Sequence, residues 1–100
     1  MNHEFYKSKR WQMKREKILR RDQYECQESK RYGKTIPAEM VHHIYPVTDY
    51  PELRFQDWNL ISLSNKAHNT MHNRDTNEVT GRGLYWQNKR KREFKNLKNK

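Results

Sequence analysis

Apolar residues along this chain come in short runs set between long polar stretches, and the runs predict a few brief elements. Phe5 to Arg21 (FYKSKRWQMKREKILRR) predicts one helix. It is filled with strong helix formers, has no Gly or Pro, and offers Ser8 as a cap. Trp11, Ile18 and Leu19 give it a narrow apolar face along which the Lys14 stem can lie, and its other faces are basic. Asp22 to Pro37 is polar and turn-rich, punctuated by Gly33 and Pro37. Glu39 to Ile44 (EMVHHI) predicts a strand, which Pro46 ends. Thr48 to Asn59 is expected as a loop carrying aromatic residues, and Leu60 to Leu63 (LISL) as a second strand. Ser64 or Asn65 then caps a helix expected to run through His68 and His72. A second polar loop, with Gly81 and Gly83, leads to a tail from Tyr85 (YWQNKRKREFKNLKNK) expected to be helical at first and then to fray. There is no internal repeat and no sign of a second domain.

Four of the five histidines fall in two tight clusters, His42-His43 and His68-x-x-x-His72. Imidazole is both the commonest metal ligand and the side chain best placed to move protons near neutral pH. Neighbouring side chains on a strand point to opposite faces, so His42 and His43 cannot ordinarily share one job. Residues four apart on a helix share a face, so His68 and His72 can ligate one ion together. Strand, connection, strand and short helix bring the clusters together as a ββα unit with a metal between strand and helix. Three protein ligands leave a coordination position open, which favours catalysis over a closed structural zinc site.

Composition narrows the setting. The chain has 100 residues, of which 32% are hydrophobic and 34% charged, so any single core is thin and a metal or partner is a natural staple. Its one cysteine, Cys26, excludes an internal disulfide and fits a reducing, cytoplasmic compartment. No apolar run approaches the length of a membrane span, and the first residues lack the apolar stretch of a signal peptide. The formal charge of +10 attracts polyanions, which makes nucleic acid the expected partner and a membrane surface a poor one.

The segments KREKILRRDQYECQES, AEMVHHIYPV and DWNLISLSNKAHNTMH together resemble the HNH endonucleases, above all the small phage-encoded ones. The ordered set V-H-H-I-x-P, W-N-L-x-S-L and H-N-x-x-H carries the likeness, which runs from about Tyr6 to His72. It implies an α+β fold, a small ββα-metal (His-Me finger) domain with an N-terminal helix and a basic C-terminal tail. The nuclease domain is expected over residues 1–84, its metal motif over about 39–72, and the tail over 85–100. The resemblance makes His43 the general base and His42 and His68 metal ligands, with His72 a third ligand as in members with a histidine-rich site. Asn59 matches the motif's asparagine, which braces the loop joining the strands and helps orient the base. Many relatives also carry two C-x-x-C pairs that hold a structural zinc. Here those positions read Cys26, Ser29, Ser64 and Ala67. One thiolate cannot replace four ligands, so no structural zinc is expected and Cys26 becomes a small buried apolar residue. Packing of Trp11, Trp58, Leu60 and Leu63 must hold the motif instead.

The activity implied is metal-dependent hydrolysis of DNA phosphodiester bonds, by nicking or full cutting. His43 would take a proton from water, provided that Asn59 or a main-chain carbonyl holds its other ring nitrogen. One divalent ion is expected. Imidazole ligands favour Mn, Ni, Co or Zn without excluding Mg. Arg20, Arg21, Lys66 and Arg74 near the motif, and Lys89 and Arg90 in the tail, are the candidate phosphate contacts. By resemblance to the phage proteins, a phage origin and a place beside the terminase in genome packaging are expected, while a restriction or mobile-element role uses the same chemistry and stays open. The alternative, prompted by the missing cysteines, is an HNH-fold protein that binds DNA without cutting it.

Overall fold

The structure, a computed structural model, describes residues 3–73, 75–76 and 78–98. The chain opens with a short helix, α1 (His3–Lys7), followed by α2 (Lys9–Arg21). The single helix expected over Phe5 to Arg21 is therefore broken, and Ser8 is the break. Its backbone is extended, its hydroxyl donates to the Phe5 carbonyl at 2.7 Å, and the same oxygen accepts the Trp11 amide at 3.2 Å. A serine that satisfies two backbone groups outside the helix competes successfully with helical continuation. As a result α1 folds back, and Phe5 reaches the Trp11 ring, 5.1 Å between centroids.

The polar segment after α2 contains one more turn of helix, α3 (Gln27–Lys30), and a bridge between Glu25 and Pro37 closes it. Strand β1 (Met40–His43) then pairs antiparallel with β2 (Leu60–Leu63). The register sets His42 opposite Ile61 and His43 opposite Leu60. Opposed residues share a face. His43 therefore lies with Leu60, which packs with Trp11, Ile18, Leu19 and Val41 under α2. His42 lies with Ile61, whose cluster on the other face includes Cys26, Leu53, Leu63, Met71 and Trp86. The sheet thus separates two small cores, and each adjacent histidine belongs to a different one. Trp58, expected to pack, is half-buried against the second core.

Ser64 caps the helix after β2, its oxygen accepting the Ala67 amide at 3.1 Å. That helix, α4, covers only Asn65–His68, so the expected continuation through His72 is corrected. The Thr70 hydroxyl turns back to the Ala67 carbonyl at 2.6 Å, Met71 drops fully into the core, and His72 pairs in a bridge with Val79. Burying Met71 and gaining the bridge outweigh another turn of helix built on Asn69 and Thr70, both weak helix formers.

Thr80 caps α5 (Gly81–Lys89) through the Gly83 amide, and α6 (Lys91–Lys98) follows. Gly83 has to be glycine, because a Cβ there would meet the Met71 carbonyl oxygen at 2.6 Å. The boundary expected between residues 84 and 85 runs through α5. Trp86 is buried in the second core, and Phe94 stacks on Tyr45 with centroids 4.3 Å apart. The whole is an α+β domain in which a two-stranded sheet, the loop that joins it and α4 surround four histidines.

Candidate active site

The last residue of β1 but one, the last residue of α4 and the bridge at His72 bring three imidazoles together. The His42 ring lies 5.1 Å from that of His68 and 5.9 Å from that of His72, centroid to centroid. His68 and His72 reach one place without sharing a helix, so the geometry the spacing suggested arises by a different path. Two imidazoles bound to one ion at about 2.1 Å have centroids roughly 5 Å apart, which the His42–His68 pair matches. Among the described residues no three His, Cys, Asp or Glu side chains yet close on a single ion position. The donor set fits a divalent ion in kind, and the His42–His68 pair fits one in spacing. Burial, and then the neighbouring histidines, push His42 down to about 3, and burial with His72 lowers His68. At neutral pH both rings are uncharged and keep a lone pair for a ligand.

His43 is held differently. Its Nε2 lies 3.2 Å from the Arg54 carbonyl. A carbonyl only accepts, so Nε2 carries the proton and Nδ1 keeps the lone pair. The Trp11 indole stacks on the ring, with centroids 5.1 Å apart and planes within 22°. Phe5 and Tyr6 approach at 6.1 and 6.5 Å. Burial under these rings pushes His43 down to about 4, against the opposing pull of the Arg54 carbonyl.

Asn59 is fully buried and makes no hydrogen bond to His43 among the described residues. Its Oδ1 accepts the Tyr45 amide at 2.7 Å, and its Nδ2 donates to the carbonyls of Tyr45 and Leu53 at 3.2 Å each. Of the two holders expected for the base, the main-chain carbonyl is the one in contact. Asn59 acts one step back, by fixing the loop that presents Arg54. His42, His43, His68 and His72 all border one cavity of about 440 Å³, with Tyr6 on its wall. Tyr6 and the Arg54 carbonyl were not legible in advance. The first needed the break at Ser8, and the second is a backbone atom that any residue would supply.

The candidate phosphate contacts are scattered. Arg21 donates to the carbonyls of Asp57 and Leu60 at 2.8 and 2.7 Å and pairs with Asp22, so its guanidinium braces the strand entry. Arg20 is largely exposed beside Glu16. Lys66 borders a second cavity, apart from the histidines. Lys89 lies over the Trp86 ring at 5.2 Å, and Arg90 pairs with Glu93 at 3.1 Å. Arg74 lies outside the described residues.

Cys26 is fully buried, and the Ser29 hydroxyl donates to its sulfur at 3.3 Å. Burial raises its thiol pKa, but hydrogen bonds from Ser29 and Ser64 outweigh that and lower it. The residues standing at three of the four C-x-x-C positions thus meet, and Ala67 packs in the same core.

Comparison with known proteins gives one informative match. The chain is similar to the crystal structure of the HNH endonuclease of the deep-sea thermophilic bacteriophage GVE2 with manganese ion. The two are 35% identical with a TM-score of 0.64, over 65% of this chain and 71% of that one. No family model and no curated protein sequence matches the chain. No helix among the described residues is long and apolar enough to cross a membrane.

Proposed function

The chain belongs to the HNH endonuclease family, and on that premise we propose that it hydrolyses phosphodiester bonds of DNA with one divalent metal ion. One observation carries the reading: a pinned neutral imidazole with a free Nδ1 shares a cavity with three imidazoles that make no hydrogen bond among the described residues. His43 takes a proton from water through Nδ1 as the water oxygen attacks phosphorus and the bond to the leaving 3′ oxygen breaks. Its Nε2–H stays on the Arg54 carbonyl, which holds the ring in line and disperses the charge it gains. Asn59 keeps that carbonyl in place through Leu53 and Tyr45. His42 and His68, with His72, would hold the ion, which when bound supplies Lewis-acid stabilisation to the phosphate and the departing oxygen. Imidazole donors favour Mn, Ni, Co or Zn over Mg, in keeping with the manganese of the phage protein. The departing 3′ oxygen takes a proton from solvent, so the expected products are a 5′-phosphate and a 3′-hydroxyl. Arg20, Lys66, Lys89 and Arg90 supply phosphate contacts. A phage genome-packaging role beside the terminase, in the host cytoplasm, is the setting we favour, on the phage source of the similar enzyme.

A second reading, a DNA-binding protein without activity, is favoured by the burial of His43, which is only 7% exposed under its aromatic cover. Nicking of supercoiled plasmid decides between them. The nuclease reading expects cutting that needs added Mn²⁺, stops with chelator and disappears in His43→Ala. Plasmid left intact across Mn, Ni, Co, Zn and Mg would establish the inactive reading.

A further inference from the structure

The second cavity, of about 700 Å³, borders the Lys66 and Ala67 positions of α4. Lys34, Arg82 and Tyr32 line it as well. At its floor is Glu28, a carboxylate only 1% exposed. Burying a charge is costly unless it is fully paired, so such a group calls for a reason. Glu28 accepts Nε and Nη2 of Arg31 at 2.6 and 3.3 Å and the Trp86 indole N–H at 3.0 Å, with Arg82 Nη1 at 3.6 Å. What this anchor fixes is a surface. The Arg31 guanidinium is held 4.5 Å from the Tyr32 ring centre and 3.9 Å from that of Tyr85, and Arg82 stands 5.4 Å from Tyr32. Both tyrosines remain open to solvent, at 54% and 38%. Glu39, the cavity's other carboxylate, is taken up by the backbone and side-chain amides of Asn65. Lys34 and Lys66 form no ion pair among the described residues.

Rigid exposed aromatic rings beside unpaired lysines match the needs of unpaired nucleotides, whose bases stack while their phosphates meet cations. A duplex hides the faces of its bases and would leave the rings idle. We propose that Tyr32 and Tyr85, set by Arg31 on buried Glu28, form with Lys34 and Lys66 a second nucleic-acid site that binds single-stranded DNA. The site goes beyond the catalytic reading and needs neither the metal nor His43.

The test is fluorescence anisotropy of a labelled oligothymidylate of about 12 nucleotides, and of a duplex of equal length, with the full chain in chelator. Tyr32→Ala with Tyr85→Ala should weaken the single strand about tenfold or more and leave the duplex little changed. Tyr32→Phe with Tyr85→Phe, which keeps the rings, should bind as the native chain does. Lys34→Ala and Lys66→Ala should each reduce the log–log salt slope for the single strand by about 0.7. Should the double alanine variant fail to fold by circular dichroism, Tyr32→Ala alone, at the more exposed ring, carries the same expectation at about fivefold. Native affinity in the alanine variants overturns the proposal, as does an equal loss for both DNA forms. Because no cutting is measured, a chain that fails to nick plasmid but passes this test loses the nuclease reading and keeps this site.

Discussion

Two groups of ligand-type side chains meet at the two ends of α4, and they differ in where their lone pairs go. At its N-cap, Ser64 joins half-buried Ser29 around the fully buried Cys26, whose sulfur accepts the Ser29 hydroxyl. At its last residue, His68 joins His42 and His72 around a cavity, and their ring nitrogens make no hydrogen bond among the described residues. Side chains able to bind a metal mark a site only where the protein leaves them unsatisfied and accessible. A cluster whose members satisfy one another is a packing solution made from polar residues at the same positions.

The largest effect that sharpens this contrast lies within the histidine group. His43→Ala should keep metal affinity and lose roughly 10²- to 10⁴-fold in rate, the range for a lost general base. His42→Ala should lose metal affinity and activity together, with partial return at high metal. Calorimetric titration with Mn²⁺ beside single-turnover cleavage separates the two. Metal loss in His43→Ala with retention in His42→Ala would reverse the assignment that β1 makes by sending the rings to opposite faces.

The contrast can also be broken from the other side. Replacing Ser29, Ser64 and Ala67 together by cysteine would exchange internal hydrogen bonds for four thiol ligands, Cys26 among them. Zinc at a thousandfold over its Kd should then raise stability by about 4 kcal/mol, read as a zinc-dependent shift in urea midpoint. The native chain under the same zinc, with its one cysteine, should shift far less at this cluster. Equal shifts in both proteins would mean that the four positions do not converge.

Acid should strike the two groups unequally. An exposed imidazole titrates near 6.5, whereas in the folded chain His42 and His43 are lowered to about 3 and about 4. The unfolded chain therefore binds protons that the folded chain refuses, and metal-free stability falls as pH drops through 6.5. The loss continues towards the folded values. Between pH 7.5 and 5 the urea midpoint should decline, and His42→Leu should flatten the decline. A midpoint constant over that range would mean that these rings are not buried as neutral groups. The acidic limb of cleavage should likewise lie nearer 4 than 6.5, set by the burial of His43.

Much of this site was legible because its information is local. Val41 and Ile44 around two histidines, and LISL after Asn59, mark strands by composition, and Ser64 three residues before Ala67 is a cap by chemistry. The opposite facing of His42 and His43 follows from the pleat alone. What failed needed tertiary competition. Ser8 can sit within a helix or cap one, and the packing of Phe5 against Trp11 accompanies the second choice. His68 and His72 have helical spacing, but Met71 is drawn into the core and ends the helix. Trp86 and Phe94 lie in a strongly basic tail whose charge hides their packing against the loop after β1. The acceptor for His43 is a carbonyl, on which the side-chain sequence is silent.

The smallest effect concerns the helix that the two groups share. Ser64 caps α4 through the Ala67 amide and also helps to lower the Cys26 thiol, whereas Ser29 has only the contact with sulfur and no part in α4. Ser64→Ala should cost about 1 kcal/mol for the lost cap. Because α4 ends at His68, it should also weaken Mn²⁺ binding a few-fold. Ser29→Ala should cost a comparable or smaller amount, about 0.5–1 kcal/mol, and leave metal affinity unchanged. Urea midpoints measure the first quantity and calorimetric titration the second, so each variant is placed on both axes. If Ser29→Ala weakened the metal as much as Ser64→Ala, the two clusters would be coupled through the core rather than through α4. If neither variant did, His68 would be held by Met71 and the bridge beyond it, and the cap would serve stability alone.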